Sequence, residues 1–429
     1  MEHRLNRRQA LESTAGIVAV SALAGVIRTP AFAASEETLK RAPAESARDE
    51  DFWTAVRNEF TTDRTVINLN NGHVSPAPRT VQEAMRRYLD YSNMGPYHTM
   101  IQQLEKKVET ARRLIAETAG CDPEEVAITR NSSESLEIAQ FGVRLQAGDE
   151  VLTTNQDYPR MLTTFQQRAR REGIVLKTIS FPVPVVGMDD LYQRFERAIT
   201  PKTKLILVCH ITNRTGQIFP VRRICDLAHS RGITVVVDGA HAFNHFPYKI
   251  SDLDCDYYGV SLHKWTFAPV GTGFLYVKRS RIRETWPLMA AGERRDEDIR
   301  KFEEIGTHPA ANFSAICEAI TFNQNIGIER KAARLRYLKD RWATDLAKNP
   351  KVKILHSSDP SMSCGIGMFG LDGADPRKLV DALQTKHNIY TALSAHQEYT
   401  GIRITPSVYT TLEEIDYFVR AVEKELKEV

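Results

Sequence analysis

Ser261-Leu262-His263-Lys264-Trp265 follows directly on an apolar, strand-like run. A lysine at a strand end, once desolvated, can condense with an aldehyde to form an imine. Alone, Lys264 would read as an ordinary ion-paired surface lysine. Asp238 changes that reading. It closes the apolar run Val235-Val236-Val237, 26 residues upstream of Lys264 (264 − 238), which leaves room for one crossover and one strand. A carboxylate and a lysine on neighbouring strand ends can bracket one ring. Pyridoxal phosphate needs that pair, because an acid at the pyridine nitrogen keeps the ring an electron sink. A third segment suits the phosphate: residues 126–129 run into Arg130-Asn131-Ser132-Ser133-Glu134 and then a helix. Hydroxyls and free N–H groups at a helix start bind a dianion, although the same residues also suit a plain helix cap. As a metal ligand Asp238 lacks company. The six cysteines, Cys121, Cys209, Cys225, Cys255, Cys317 and Cys364, show no C-x-x-C pair and no zinc spacing, so no metal site is expected.

The elements that must position these residues alternate. Strand-like runs at 126–129, 151–153, 175–179, 205–209, 234–237, 257–261 and 273–277 are separated by helical patterns, among them 136–145, 160–172 and 222–231. Seven strands with interleaved helices predict an α/β fold whose mostly parallel sheet is covered on both faces. Ligands of such sheets gather at the carboxyl ends of the strands. Before the sheet, residues 36–64 are helix-prone, with Phe52, Trp53, Val56 and Phe60 at helical spacing, and 66–72 read as a short strand ending in a turn. Beyond it, one long helical pattern at 310–346 leads to strands at 366–371 and 401–405 and a closing helix from Leu412. The expected division is an export signal at 1–33, an N-terminal segment at 34–72 packing on the small domain, a large cofactor domain at 73–305 and a small α/β domain at 306–429.

Taken together, these segments resemble the class V aminotransferase family of fold-type I pyridoxal-phosphate enzymes, and most closely its isopenicillin N epimerase-like members. The resemblance runs from about Asn68 to the C-terminus. It rests on Leu69-Asn70-Asn71-Gly72, on Thr129 to Glu134, on His210-Ile211-Thr212-Asn213-Arg214-Thr215-Gly216, on Asp238-Gly239-Ala240-His241, on the Lys264 segment, on Gly306-Thr307 and on Arg403-Ile404-Thr405-Pro406. It implies that Lys264 is the imine-forming lysine and the Cα acid and base, and that Asp238 partners the pyridine nitrogen. It further implies that Ser132, Ser133, Ser261 and His263 hold the phosphate. Asn213 and His241 would meet the 3′-oxygen or the ring, and Tyr158 would stack on the ring face. Thr307 would reach the phosphate of a neighbouring subunit, which implies a two-fold dimer with shared sites. Arg403 would grip the substrate carboxylate, a bidentate task suited to guanidinium. Asn71 and His73 are candidate substrate contacts, and Tyr97, His98 and His73 candidate second proton carriers.

The cofactor leaves the reaction open among transamination, epimerisation and lyase or decarboxylating chemistry. The stretch before Arg403 that carries a nucleophilic cysteine in cysteine desulfurases reads Thr391 to Tyr399 here without one, which argues against a persulfide route. The leading expectation is an aminotransferase or epimerase acting on an amino acid or on an amino-acid side chain of a peptide or siderophore. A fold relative that binds cofactor without turnover is the alternative from another class. A nicotinamide dehydrogenase is excluded, because no G-x-G-x-x-G follows the first strand. The formal net charge of +3, from 57 basic and 54 acidic residues, shows no nucleic-acid footprint. At the N-terminus, Arg7-Arg8, an uncharged stretch at 13–27 and Ala31-Phe32-Ala33 resemble a cleavable twin-arginine signal. That implies the twin-arginine export machinery as partner and a periplasmic protein with no membrane span after cleavage. If the signal is unused, the protein is cytoplasmic.

Overall fold

The computed structural model describes residues 41–428, so the expected export signal lies outside the described residues. Helix α1 (Glu50–Asn58) is followed by β1 (Ile67–Asn68) and by α2 (Arg79–Met94) and α3 (Glu105–Ala119). The large sheet then forms from β2 (Val126–Thr129), β3 (Glu150–Thr154), β4 (Val175–Ile179), β5 (Thr203–Cys209), β6 (Thr234–Asp238), β7 (Tyr257–Ser261) and β8 (Gly273–Val277). Their spatial order is β2-β8-β7-β6-β5-β3-β4. Every pair is parallel except those of β8, which runs antiparallel to both neighbours. The chain is therefore of the fold-type I class expected, a large α/β domain followed by a smaller C-terminal one.

Strand alternation sorts the core into two layers. Val235, Val237, Tyr258 and Val260 pack on one face of the sheet, while Val236, Tyr257, Leu205 and Leu207 pack on the other. Both faces are apolar because helices cover both, as a parallel sheet requires.

The expected long helix at 310–346 is three helices, Ala310–Ser314, α4 (Ile316–Ile326) and α5 (Ile328–Leu346). Gly327 takes φ +84° between the last two, and its N–H closes on the Asn323 carbonyl at 3.0 Å. A hydrophobic period can run through such a break, because a glycine in an unusual backbone conformation turns the axis without disturbing the pattern. Next come β9 (Val352–Ile354), β10 (Gly367–Leu371), α6 (Pro376–His387), β11 (Ile389–Tyr390), β12 (Ala392–Ala395), β13 (Thr400–Ile404) and α7 (Leu412–Glu428). Four of these strands form a second, antiparallel sheet in the order β12-β13-β10-β9.

The N-terminal segment joins the two bodies. β1 pairs in parallel with β11, and Thr405 exchanges backbone bonds with Leu69 and Asn71 at 2.8 and 3.2 Å. Phe52, Trp53 and Phe60 share one apolar cluster with Trp265, Phe267, Ile366 and Tyr409. The loop that carries Lys264 is thus packed from three directions.

Gly239, just past Asp238, has no room for a side chain: a Cβ there would lie 1.9 Å from the ring of buried Tyr258. Gly239→Ala should lower stability by about 1–3 kcal/mol, as overpacking does. The check is a denaturant midpoint that falls with an unchanged slope.

Candidate active site

Cys209, Asp238 and Ser261 are the last residues of β5, β6 and β7, three adjacent strands. Their side chains line one cavity of about 190 Å³, together with Ser132, Ser133, Tyr158, Asn213, His241, His263, Lys264, His73 and Arg403. Residues drawn from more than 300 positions of chain meet there, since every strand of the parallel set delivers its end to the same side.

Lys264 is half-buried, and desolvation pushes its ammonium down to about 8, with Asp238 opposing the fall and the Arg403 cation adding to it. Asp238 is raised by the same burial, against one bond accepted from the Ala240 N–H (2.9 Å) and the attraction of Lys264. His241 decides how the amine is presented. Trp265 Nε1 lies 3.4 Å from His241 Nδ1, and an indole N–H can only donate. His241 therefore accepts at Nδ1 and carries its proton on Nε2, 3.0 Å from Lys264 Nζ. An N–H facing the amine suits the neutral form of Lys264, which prevails as pH rises through about 8. Burial and the neighbouring Lys264 hold His241 well below the usual histidine range. His245 stacks on Trp265 at 3.8 Å and 8° and locks the indole in place.

The end of the cavity at the helix start is equally built. Ser261 Oγ accepts the Ser132 N–H at 2.9 Å and donates to Ser132 Oγ at 2.8 Å. Asn131, not a serine, caps the helix Ser132–Gly142, its side chain accepting the Glu134 N–H at 2.9 Å. Glu134 is drawn away from the cavity by a bidentate pair with Arg130, which removes a repulsive charge from an anion site. Gly273 begins β8 under this turn, where a Cβ would stand 2.7 Å from Asn131 Cα.

Three cavity-lining polar atoms, Asn213 Oδ1, His263 Nδ1 and Arg403 Nε, are buried without a hydrogen-bond partner. Orphaned buried groups are costly, and so many in one cavity fit a polar ligand. The pairing of a half-buried lysine with a buried carboxylate, beside a hydroxyl-lined helix start, fits pyridoxal phosphate in particular. Arg403 sits on β13 and donates to the Asn213 carbonyl and to Asn70 Oδ1, both at 2.7 Å. No carboxylate of the described residues pairs with it, so its charge is free for an anion.

Four expectations need correction or comment. Asn71 does not line the cavity: it is buried in a structural knot, donating to the Asn68 and Thr405 carbonyls and accepting from Tyr409. The preceding residue, Asn70, is the one that touches Arg403, because alternate residues of an extended segment face opposite ways. Tyr97 and His98 are exposed on a π-helical turn outside the cavity. Thr307 is exposed and lies outside its own chain's cavity.

Sequence reading missed the floor. Cys209 donates to Asp157 Oδ1 at 3.1 Å, and Thr153 to Asp157 Oδ2 at 2.9 Å, with Asp157, Cys209 and Asp238 clustered within 4.8 Å. Burial pushes Asp157 up to about 7. The available signal was positional, since both Asp157 and Cys209 end or follow strands of the same sheet.

The aminotransferase class-V family model matches residues 67–418. The chain belongs to that family. It is 30% identical over 388 residues to the isopenicillin N epimerase of Streptomyces clavuligerus, covering 86% of this chain and 98% of that one. Among solved structures it is similar to the cysteine desulfurase of Thermococcus onnurineus NA1, with TM-score 0.77, 25% identity and coverage of 87% and 98%. A C-DES variant with glycine covalently linked to its pyridoxal-phosphate cofactor shares the fold at TM-score 0.76 and 23% identity, covering 86% and 99%. The cofactor of this class V enzyme is pyridoxal phosphate.

Only a neutral amine attacks an aldehyde, so uptake of the cofactor by apoprotein should quicken as pH rises through about 8. Arg403→Met removes a cation that depresses Lys264 and should move that midpoint up. Asp238→Asn removes the charge that raises it and should move the midpoint down. Stopped-flow absorbance across pH reads both shifts. Trp265→Phe frees the tautomer of His241 and should weaken cofactor retention about fivefold, the worth of one hydrogen bond, measured by equilibrium dialysis.

Proposed function

We propose that this class V enzyme acts at the α-carbon of an amino acid, free or as a unit of a peptide, and that it epimerises that centre. The observation that carries the reading is the placement of two proton carriers. Lys264 is half-buried in the cavity, its ammonium lowered to about 8 by burial, whereas His73 lines the same cavity and is exposed. Bound pyridoxal phosphate supplies an electron sink that acidifies the Cα–H bond. Arg403 holds the α-carboxylate, Lys264 takes the proton on its side, and His73 returns one from the open side. Asp238 keeps a negative charge at the ring nitrogen, and the Ser132, Ser133 and Ser261 turn binds the phosphate.

The relatives include cysteine desulfurases, and a lyase is the competing reading. The cavity gives persulfide chemistry little support. Its one thiol, Cys209, is 3% exposed, is engaged by Asp157, and is raised far above the usual thiol range by burial. Cys364 is fully buried against the His245 and Ala332 carbonyls. Between β12 and β13 the chain presents His396, whose ring bonds the Asn155 carbonyl at 3.1 Å. Transamination asks only for Lys264 and release of a keto acid, and is the third outcome of the test below.

The twin-arginine-like start supports export to the periplasm, with a tailoring role on a peptide or siderophore side chain. Exposed Thr307 supports a two-fold dimer in which it serves the partner's site.

Borohydride reduction of the loaded enzyme should attach cofactor irreversibly to the peptide that contains Lys264, and Lys264→Ala should abolish both this label and turnover. In deuterated water, recovered amino acid should carry deuterium at Cα in both configurations. Release of sulfide would instead select the lyase, and stoichiometric keto acid the aminotransferase.

A further inference from the structure

His245 stands outside the cavity wall, yet it touches two of the residues that present the Lys264 amine. It is fully buried, and burial, with Lys331, Arg336 and Lys339 adding to it, holds the ring well below the usual histidine range. One proton must therefore be placed on two nitrogens. Both hydrogen-bond partners are backbone groups, so the placement follows. The Gly365 N–H lies 2.8 Å from Nε2 and can only donate. The His241 carbonyl lies 2.7 Å from Nδ1 and can only accept. Nδ1 carries the proton, and the ring is tied at both ends. Its flat face lies against Trp265, which donates to His241 Nδ1, and the other nitrogen of that imidazole faces Lys264 Nζ.

Gly365 comes from the other body. It leads into β10 of the small sheet, between Cys364, which donates to the His245 carbonyl at 3.5 Å, and Ile366, which shares an apolar cluster with Trp265. The contact is tight: a Cβ on Gly365 would stand 3.0 Å from His245 Nε2 and 3.0 Å from Leu335 Cβ. We propose that His245 is a positioning residue that transmits the seating of the small domain to the Lys264 amine. A small domain that shifts takes the Gly365 N–H with it. His245 then loses one of its two ties, and Trp265 loses the fixed face that holds its indole on His241 Nδ1. His241 is free to move its proton to Nδ1 and to show Lys264 a lone pair. A lone pair there accepts from an ammonium, whereas the N–H of the seated state suits a free amine. Seating thus favours the neutral amine and unseating the charged one. This goes beyond the α-carbon reading, because it concerns the amine before any substrate arrives and holds whichever reaction follows.

The test uses full-length protein freed of cofactor. Ionisation of Lys264 is read from its competitive acetylation by acetic anhydride across pH, resolved by peptide mass spectrometry. Asp238, Arg403, His241, His263 and Cys209, the titratable and charged groups that face the amine, stay intact in every variant. His245→Phe keeps a flat ring for Trp265 but removes both ties. The Lys264 midpoint should rise, and acetylation below it should slow about fivefold, the worth of one hydrogen bond. Gly365→Ala crowds His245 from the small domain and should move the midpoint the same way. In the double variant the second change should add nothing, because both act through one contact. His245→Asn is the milder alternative if either variant folds poorly: its amide nitrogen replaces Nδ1 while the Gly365 N–H loses its acceptor, and the midpoint should again rise. Recovery of visible absorbance on reloading with pyridoxal phosphate shows that a variant is folded. A midpoint left unmoved by changes at 245 or at 365, or two effects that add in full, overturns the relay.

Discussion

A primary amine drawn largely out of water is the constraint on which this molecule turns. Lysine ordinarily holds its proton several units above neutrality, and a protonated amine cannot condense with an aldehyde. Burial lowers the ammonium, yet a bare buried lysine would destabilise the fold unless its surroundings were arranged for the neutral form. Here the arrangement is concrete: Nε2–H of His241 offers itself to the amine lone pair, and Trp265 fixes the tautomer that makes this possible. Asp238 on the adjacent strand end limits how far the shift can go.

The rest of the architecture holds that arrangement still. Parallel strands bring Cys209, Asp238 and Ser261 to one edge with their spacing set by the sheet ladder, so the cavity needs no flexible loop to assemble it. Above the edge, the Lys264 loop is pinned by packing and polar contacts. Lys331 donates to the Trp265 carbonyl and to Asn323 Oδ1, and sits over the Phe267 ring at 4.0 Å. The Ser75 N–H reaches the His263 carbonyl at 3.0 Å. A fixed frame of this kind is what preorganised charge requires.

Inter-domain contacts complete the site instead of merely joining two bodies. Arg403 belongs to the small sheet, yet its two donor contacts go to Asn213 of the large domain and Asn70 of the N-terminal segment. A change in the seating of the small domain would therefore move Arg403 relative to Lys264. The tie between His396 and the Asn155 carbonyl, with Glu398 accepting from Asn155 Nδ2 at 2.8 Å, resists such a change at the rim.

Residue type and order alone were enough for the strand-helix alternation, because apolar runs of strand length separated by helical periods leave few other folds. They also singled out Lys264, Asp238 and the serine-rich helix start, which the fold brings to one cavity. Three things needed the folded chain. Asn70 and Asn71 are identical in type, and only the pairing of that segment with Thr405 decides which one faces Arg403. The break at Gly327 hides in a hydrophobic period that continues through it. The cluster of Asp157 and Cys209 arises from strand ends that meet across long stretches of sequence. Local pattern records what each segment prefers, whereas contacts between distant segments are set by how the packed elements pass one another in space.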